Sequence, residues 1–319
     1  MSRPVAFITG IAGFAGSYLA EELLRNGYRV TGALYEDEST DHIAEIMDDI
    51  ALTELDILDD RGCQKAVARF KPDIVFHLAA FASVGKSFAN ERLVYRVNFD
   101  GTLNMLAAAA KASRRPKFVF ISSSECYGIF SPKNKTLAED QPLNPVSPYG
   151  ISKAAAEFAC HAYAKRYELF VVIARSFNHS GPRQNEDFVV PSFARQIASL
   201  ERRKGRPVML VGDLSVKRDL SDVRDVVRGY RLLAEKGSPS QAYHFCSGRA
   251  VSISSVLNQM LRMAERKIQV RIDKKRLRKN DIPVLRGNNI LAVRDLGYET
   301  RHSLNRTLRD TLDYWRTRN

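Results

Sequence analysis

Tyr149 and Lys153 stand four residues apart, as Tyr-x-x-x-Lys, in a helical pattern that opens behind Pro148. On a helix this spacing puts both side chains on one face. A phenol is a poor acid–base group near neutral pH, and a neighbouring ammonium favours its ionised form. The pair alone is common on protein surfaces. It gains meaning from Ser122-Ser123-Ser124, which follows the apolar run Lys117–Ile121. A hydroxyl at the carboxyl edge of a strand can hydrogen-bond a reacting oxygen. Gly10, Gly13 and Gly16 form a further set, directly after the apolar run Val5–Thr9 and at the start of an amphipathic pattern. Glycines at such a junction let a pyrophosphate approach the backbone and meet the free N–H groups of a helix start.

Glu36 lies some 20 residues past the last of these glycines, where an acidic group accepts hydrogen bonds from a ribose. A solvated loop is the alternative reading of Glu36 and Asp37. No Arg or Lys stands in Leu34–Asp37 to hold a 2′-phosphate. The cofactor expected is therefore NAD(H) or NADP(H), with NAD(H) favoured.

These groups need elements to position them. Strands are predicted at Val5–Thr9, Tyr28–Leu34, a piece ending near Asp56, Ile74–Leu78, Lys117–Ile121 and Phe170–Ala174. Helices are predicted through about Arg25 and over Arg61–Phe70, Arg92–Lys111 and Ser147–Tyr167. Strands alternating with helices imply parallel crossovers, and so an α/β doubly wound parallel sheet with helices on both faces. Beyond about Arg175 the alternation weakens. A basic helix over Pro191–Arg203, a strand at Val208–Gly212 and a densely basic stretch over 271–279 suggest a smaller substrate-binding region. The expected division is a dinucleotide-binding domain over 1–175 plus about 217–247, and a smaller α/β domain over about 176–216 plus 248–319.

With 45% apolar and 27% charged residues, the 319-residue chain matches an ordinary globular protein and excludes collagen-like or disordered classes. Forty-nine Lys and Arg against thirty-six Asp and Glu leave a charge of +13. That charge fits an anionic partner, whether nucleic acid or a phosphorylated small molecule. Cys63, Cys126, Cys160 and Cys246 form no CxxC or Cys/His cluster, so neither a disulfide framework nor a metal site is expected. The apolar start runs straight into Glu21 and Glu22, unlike an export signal. No run reaches membrane-spanning length. A cytoplasmic protein is expected. His77 lies in an apolar strand pattern and is expected to be structural, and His179 to be a loop or core histidine.

The combination Thr9-Gly10-x-x-Gly13-Phe14-x-Gly16, Asp56-Ile57, His77-Leu78-Ala79-Ala80, Asn98, Ser123 and Tyr149-x-x-x-Lys153 resembles an extended short-chain dehydrogenase/reductase of the nucleotide-sugar epimerase/dehydratase type, over essentially the whole chain. Within that family the GDP-4-keto-6-deoxy-mannose reductases are most similar, with the GDP-mannose 4,6-dehydratases behind. Further segments carry the resemblance: Arg175-Ser-Phe177-Asn178-His179-x-Gly181-Pro182, Arg218-Asp219 with Asp222-Val-Arg-Asp225, and Arg278-x-x-Asp281. Lys279 stands where the family usually has Pro.

The resemblance implies that Gly10, Gly13, Phe14, Ala15 and Gly16 surround the cofactor pyrophosphate. Asp56 and Ile57 would flank adenine, while Leu78, Ala79, Ala80 and Asn98 belong to the cofactor channel. Ser123 and Tyr149 would meet the sugar at C4, and Lys153 would also hold the nicotinamide ribose. Ser83, Val84 and Ser124 would lie beside the hexose. Asn178, Arg218 and Arg278 would hold the nucleotide diphosphate, with Asp281 at the nucleotide ribose.

Glu125 occupies the position where dehydratases carry the base that removes the C5 proton, and the reductases tend to carry it too. The loop after Asn178 lacks the Pro-Arg-Arg-Gly run of the dehydratases, which tilts toward reduction of a GDP-4-keto-6-deoxy-hexose. A 4,6-dehydratase or a 4-epimerase remains the alternative. The family resemblance also implies a homodimer through the helices Arg92–Lys111 and Ser147–Tyr167. The expected partner is a GDP-sugar, with no nucleic acid and no membrane.

Overall fold

The first strands are apolar along their whole length because both faces of the sheet they form are covered. The computed structural model describes residues 3–129, 136–277 and 282–318. Its first half runs β1 (Val5–Thr9), α1 (Phe14–Arg25), β2 (Arg29–Leu34), β3 (Ile50–Glu54), α2 (Asp60–Phe70) and β4 (Ile74–His77). Then come two short helices, α3 (Val84–Ser87) and α4 (Glu91–Tyr95), followed by α5 (Gly101–Lys111), β5 (Lys117–Ser123), α6 (Pro148–Tyr167) and β6 (Val171–Ser176). The second half runs β7 (Asn178–Ser180), α7 (Val189–Arg202), β8 (Val208–Val211), β9 (Lys217–Asp222), α8 (Val223–Lys236) and β10 (Ala242–Phe245). It ends with β11 (Ala250–Ser252), α9 (Ile253–Arg262), β12 (Gln269–Ile272), β13 (Val284–Leu285), α10 (Ile290–Leu296) and α11 (Leu304–Arg318).

Seven strands pair in the order β10-β6-β5-β4-β1-β2-β3, each with its neighbour in parallel. The chain builds outward from β1 to β3, then returns to place β4 on the other side of β1. That reversal opens a crevice at the carboxyl ends of β1 and β4. Successive residues of β1 serve opposite cores: Ile8 packs with Leu19, Leu23 and Val226, and Phe7 with Val75, Met105 and Phe118.

A smaller layer holds the order β11-β9-β13, with β7 pairing β9 and β12 pairing β8. Phe193, Ile197, Leu257, Met260 and Leu308 from α7, α9 and α11 form its core.

Three expectations change. The return to the large layer expected near 217 begins at Val223, because β9 pairs with β11, β13 and β7 of the small layer. The sheet also gains β10 as a seventh strand. The helix expected over Arg92–Lys111 contains a π-helical turn at Arg96–Asp100 between α4 and α5. Arg278 and Asp281 lie outside the described residues.

Candidate active site

The glycine turn is built for close approach. Gly10 has φ +72, a left-handed conformation that favours glycine, and a Cβ there would meet the Ala79 backbone at 3.1 Å. A Cβ on Gly16 would sit 2.0 Å from the Gly10 carbonyl oxygen. Gly13 caps α1 and supplies no side-chain hydrogen bond to its end, so no capping side chain competes for the first N–H groups of the helix.

A cleft of about 620 Å³ runs from this turn along the strand ends, of a size that takes a small-molecule cofactor. Gly10, Gly13, Phe14, Ala15 and Gly16 line one end, with Asp56, Ile57, Leu78, Ala79 and Ala80 along the rest. Lys153 is the one Lys or Arg among the described residues lining it.

Two residues expected at the cofactor stand outside the cleft lining. Glu36 is exposed; the cleft is lined instead by Tyr35 and Glu38. Asp37 takes a left-handed turn at φ +55, and Glu38 Oε2 accepts from the Tyr35 N–H at 3.1 Å. Asn98 does not line the cleft. It sits fully buried in the π turn, where Oδ1 accepts from the Phe81 N–H (2.7 Å) and Nδ2 donates to Ser152 Oγ (2.9 Å). Asn98 therefore fixes the loop that follows β4.

His77 is structural, and its proton can be placed. Thr102 Oγ1 donates to the Asn98 carbonyl (2.7 Å) and so accepts from His77 Nε2 (3.1 Å). His77 Nδ1 then accepts from Thr9 Oγ1 (2.8 Å), which in turn accepts from the Ala79 N–H (3.1 Å). Burial holds this imidazole down to about 3, so the ring stays neutral.

Ser123 ends β5, and Tyr149 and Lys153 stand on the first turns of α6. That helix starts where it does because Pro148 follows Ser147, whose Oγ accepts from the Gly150 N–H (3.1 Å). All three line the cleft, together with Ser124 and Glu125. Burial raises the Tyr149 phenol above its ordinary value, and the Ser123 hydroxyl is the group that opposes this. Lys153 Nζ donates to the Ile121 carbonyl at 2.8 Å, and burial pushes its pKa down to about 8.

A second cavity of about 320 Å³ adjoins the first. Val84, Glu125, Asn178, His179, Gln184 and Phe188 line both. Ser83 and Arg218 line the second only. Asn178 Oδ1 is buried without a hydrogen-bond partner among the described residues, an acceptor aimed at the junction. Arg218 is buried and donates to the Ile282 carbonyl at 2.6 Å. The His179 ring stacks on Phe14 at 5.8 Å, which places it between the cavities.

Cavity-lining residues not singled out from sequence include Tyr35, Glu38, Gln184, Phe188, Tyr230 and Arg276. Only Arg276 had a signal, as part of the basic stretch over 271–279.

Beneath the strand ends lies a buried polar floor. Glu157 of α6 takes a bidentate contact from Arg175 (2.8 to 3.1 Å) and accepts from Ser122 Oγ. Arg175 Nη1 also donates to Tyr127 Oη (2.6 Å). Tyr127 passes its own proton toward His244 Nε2 (2.6 Å), whose Nδ1 donates to the Asn288 carbonyl (3.1 Å).

A model of the GDP-mannose 4,6-dehydratase family matches residues 7–311. The chain belongs to this family. The GDP-6-deoxy-D-mannose reductase of Pseudomonas aeruginosa is 30% identical over 312 residues, covering 98% of this chain and 97% of that protein. The structure of RMD from Pseudomonas aeruginosa complexed with NADPH has a TM-score of 0.84 at 28% identity, covering 99% of this chain and 100% of that one. The Thermus thermophilus UDP-glucose 4-epimerase complex with NAD has a TM-score of 0.87 at 28% identity, covering 98% and 99%. The family works on nucleotide sugars with a nicotinamide dinucleotide, and the doubly wound sheet with its glycine turn is the matching fold. No helix among the described residues is long and apolar enough to cross a membrane. No group of described His, Cys, Asp or Glu is placed to hold a metal ion.

Proposed function

We propose that this chain reduces the C4 ketone of a GDP-linked 4-keto-6-deoxy-hexose. The observation that carries the reading is that Ser123, Tyr149 and Lys153 line one dinucleotide-sized cleft together with Glu125, which also lines the adjoining polar cavity. The choice of reduction rests on the end-to-end similarity to the Pseudomonas aeruginosa reductase.

The glycine turn, the uncapped start of α1 and the apolar middle of the cleft fit a dinucleotide. NAD(H) is favoured because Glu38, not a cation, stands at the adenosine end. Bound in this cleft, the reduced nicotinamide supplies the hydride. The chain's residues handle the oxygen and its proton. Tyr149 donates the phenolic proton to the C4 oxygen as negative charge develops there, and the Ser123 hydroxyl holds the same oxygen. The Lys153 ammonium, buried beside them, stabilises the tyrosinate that remains.

In the second cavity, Asn178 Oδ1 accepts from a sugar hydroxyl, and Arg218 and Arg276 face the diphosphate. Ser83, Val84 and Ser124 border the hexose. Arg278 and Asp281 are assigned to the same nucleotide by family resemblance alone.

Glu125 favours a second reading. It lines both cavities, where a carboxylate beside a C4 ketone can remove a C5 proton, the step a 4,6-dehydratase needs. Incubation of the purified protein with GDP-mannose and oxidised cofactor, read by mass, separates the two. An unchanged substrate, with oxidation of NADH or NADPH on adding GDP-4-keto-6-deoxy-mannose, is the expected result. Loss of one water from GDP-mannose would establish the dehydratase instead.

The enzyme works as a homodimer in this reading. The alanine runs of α5 and α6 pack inward, with Ala108, Ala109 and Ala156 in the core. The outer face of α6 leaves Ile151 42% and Phe158 66% exposed, in line with Ala155 and Ala162. This uncharged stripe at helical spacing fits a second copy of itself. The four buried free thiols suit a cytoplasmic enzyme.

A further inference from the structure

We infer that Arg183 is a positioning residue that couples the cofactor cleft to the nucleotide-sugar cavity. The inference rests on the proposed function for the ligands that fill the two cavities. The segment 178–188 forms the wall between them: Asn178, His179, Gln184 and Phe188 face both. Arg183 sits within this wall at φ +71, in the left-handed region that a long L side chain rarely adopts. Such strain persists only where surrounding contacts over-determine it, and it marks functional segments.

The contacts that hold it all come from α1, the helix that begins at the glycine turn. Arg183 Nη1 meets Glu21 Oε1 at 2.5 Å and donates to Ser17 Oγ at 3.3 Å, and its guanidinium lies 4.6 Å over the Tyr18 ring. Ser17 and Tyr18 share one turn of α1, and Glu21 stands on the next. The side chains on both sides of the Arg183–Glu21 pair are only about one-fifth exposed (20% and 19%), so water screens the contact less than at an open surface.

Two neighbours complete the clasp. His179 stacks on Phe14 at the first turn of α1. Gly181 lets the wall close on α8, because a Cβ there would fall 2.8 Å from Val223 Cγ1. Inside the wall, Ser180 Oγ donates to Gln184 Oε1 (2.7 Å) and Gln184 Nε2 donates to the His179 carbonyl (3.0 Å). A shift of α1 as the cleft fills is therefore handed through Arg183 to Asn178 and Gln184, which face the sugar cavity. Each ligand thereby orders a wall that the other also needs, which is a positive coupling.

Arg183→Gly tests this cleanly, since glycine takes φ +71 without strain and the change removes only the side chain. NADH and, in parallel, NADPH binding is measured by fluorescence with and without saturating GDP. In the parent protein GDP is expected to tighten cofactor binding by a factor within about 5 to 150. In Arg183→Gly that ratio is expected to fall close to one, while the cofactor Kd without GDP moves less than about twofold. Glu21→Gln, which keeps Arg183, is expected to lose part of the ratio. A ratio in Arg183→Gly equal to that of the parent overturns the inference. So does a parent that binds cofactor and GDP with no coupling. Failure of the parent to bind either ligand would instead overturn the proposed function.

Discussion

The floor and the wall of the site are built by opposite means. The floor, beneath the ends of β5 and β6, is a closed set of buried partners: Ser122, Glu157, Arg175, Tyr127 and His244. Each has its hydrogen bonds supplied by the others or by backbone. The wall, residues 178–188, is joined to the large layer by side chains that remain partly in water. Arg183 reaches α1, and Asp187 Oδ2 accepts from Lys86 Nζ of α3 at 2.5 Å with the two side chains 35% and 59% exposed. A buried charged network is costly to break, because a lone charge is left in a low-dielectric interior. An exposed pair is cheap to break. The floor can thus hold Ser123 and Tyr149 in one geometry while the wall yields to admit a nucleotide sugar.

The largest effect is expected where the floor presents its chemistry. Tyr149→Phe should lower kcat by about 10²- to 10⁴-fold and leave cofactor binding intact, checked by steady-state kinetics beside fluorescence titration. Turnover at the parent rate would remove the phenol from the mechanism.

Next comes the floor itself. Glu157→Gln strands the Arg175 guanidinium and should cost about 3–5 kcal/mol of stability by urea unfolding. A cost below about 1 kcal/mol would mean that the floor is no stiffer than the wall.

Acid gives a smaller, graded effect. Burial holds His77 and His244 down to about 3, against 6.5 for an ordinary imidazole. Between these values the unfolded chain binds protons that the folded chain does not. Their contribution is therefore complete above about pH 6.5 and is lost as pH falls toward 3, by up to about 1.4 kcal/mol per pH unit for each ring. Denaturation midpoints across that window check it, and a flatter profile in His77→Gln assigns the share of His77.

The smallest effect is expected from Lys86→Met. Stability should change by less than about 1 kcal/mol, while KM for the nucleotide sugar shifts more than kcat. A stability loss as large as that of Glu157→Gln would erase the distinction between the two regions.

How much of this was legible beforehand follows the same division. Strand–helix alternation, the glycine turn and the Tyr149–Lys153 spacing are local patterns; they place the sheet and bring Tyr149 and Lys153 to the cleft. Glu36 faces solvent while Glu38 lines the cleft, because Asp37 turns through positive φ and redirects the side chains after it. Asn98 holds the Phe81 loop from a π turn that no hydrophobic period reveals. The floor pairs residues as distant as Tyr127 and His244, 117 positions apart, and neither residue type at its own position signals the other. Arg183 and Glu21 are separated in the same way, and only the folded chain shows that they meet.

The π turn at Arg96–Asp100 also limits how this helix tolerates length changes. One surplus residue rotates everything before it by about 100° relative to everything after. Asn98, inside this turn, reaches both the Phe81 N–H and Ser152 Oγ. Deleting a single residue from 96–100 would yield a more regular helix and a poorer protein, with Asn98 swung away from Phe81. In a set of homologous chains, a one-residue gap at this point would therefore mark those whose loop after β4 has been rebuilt.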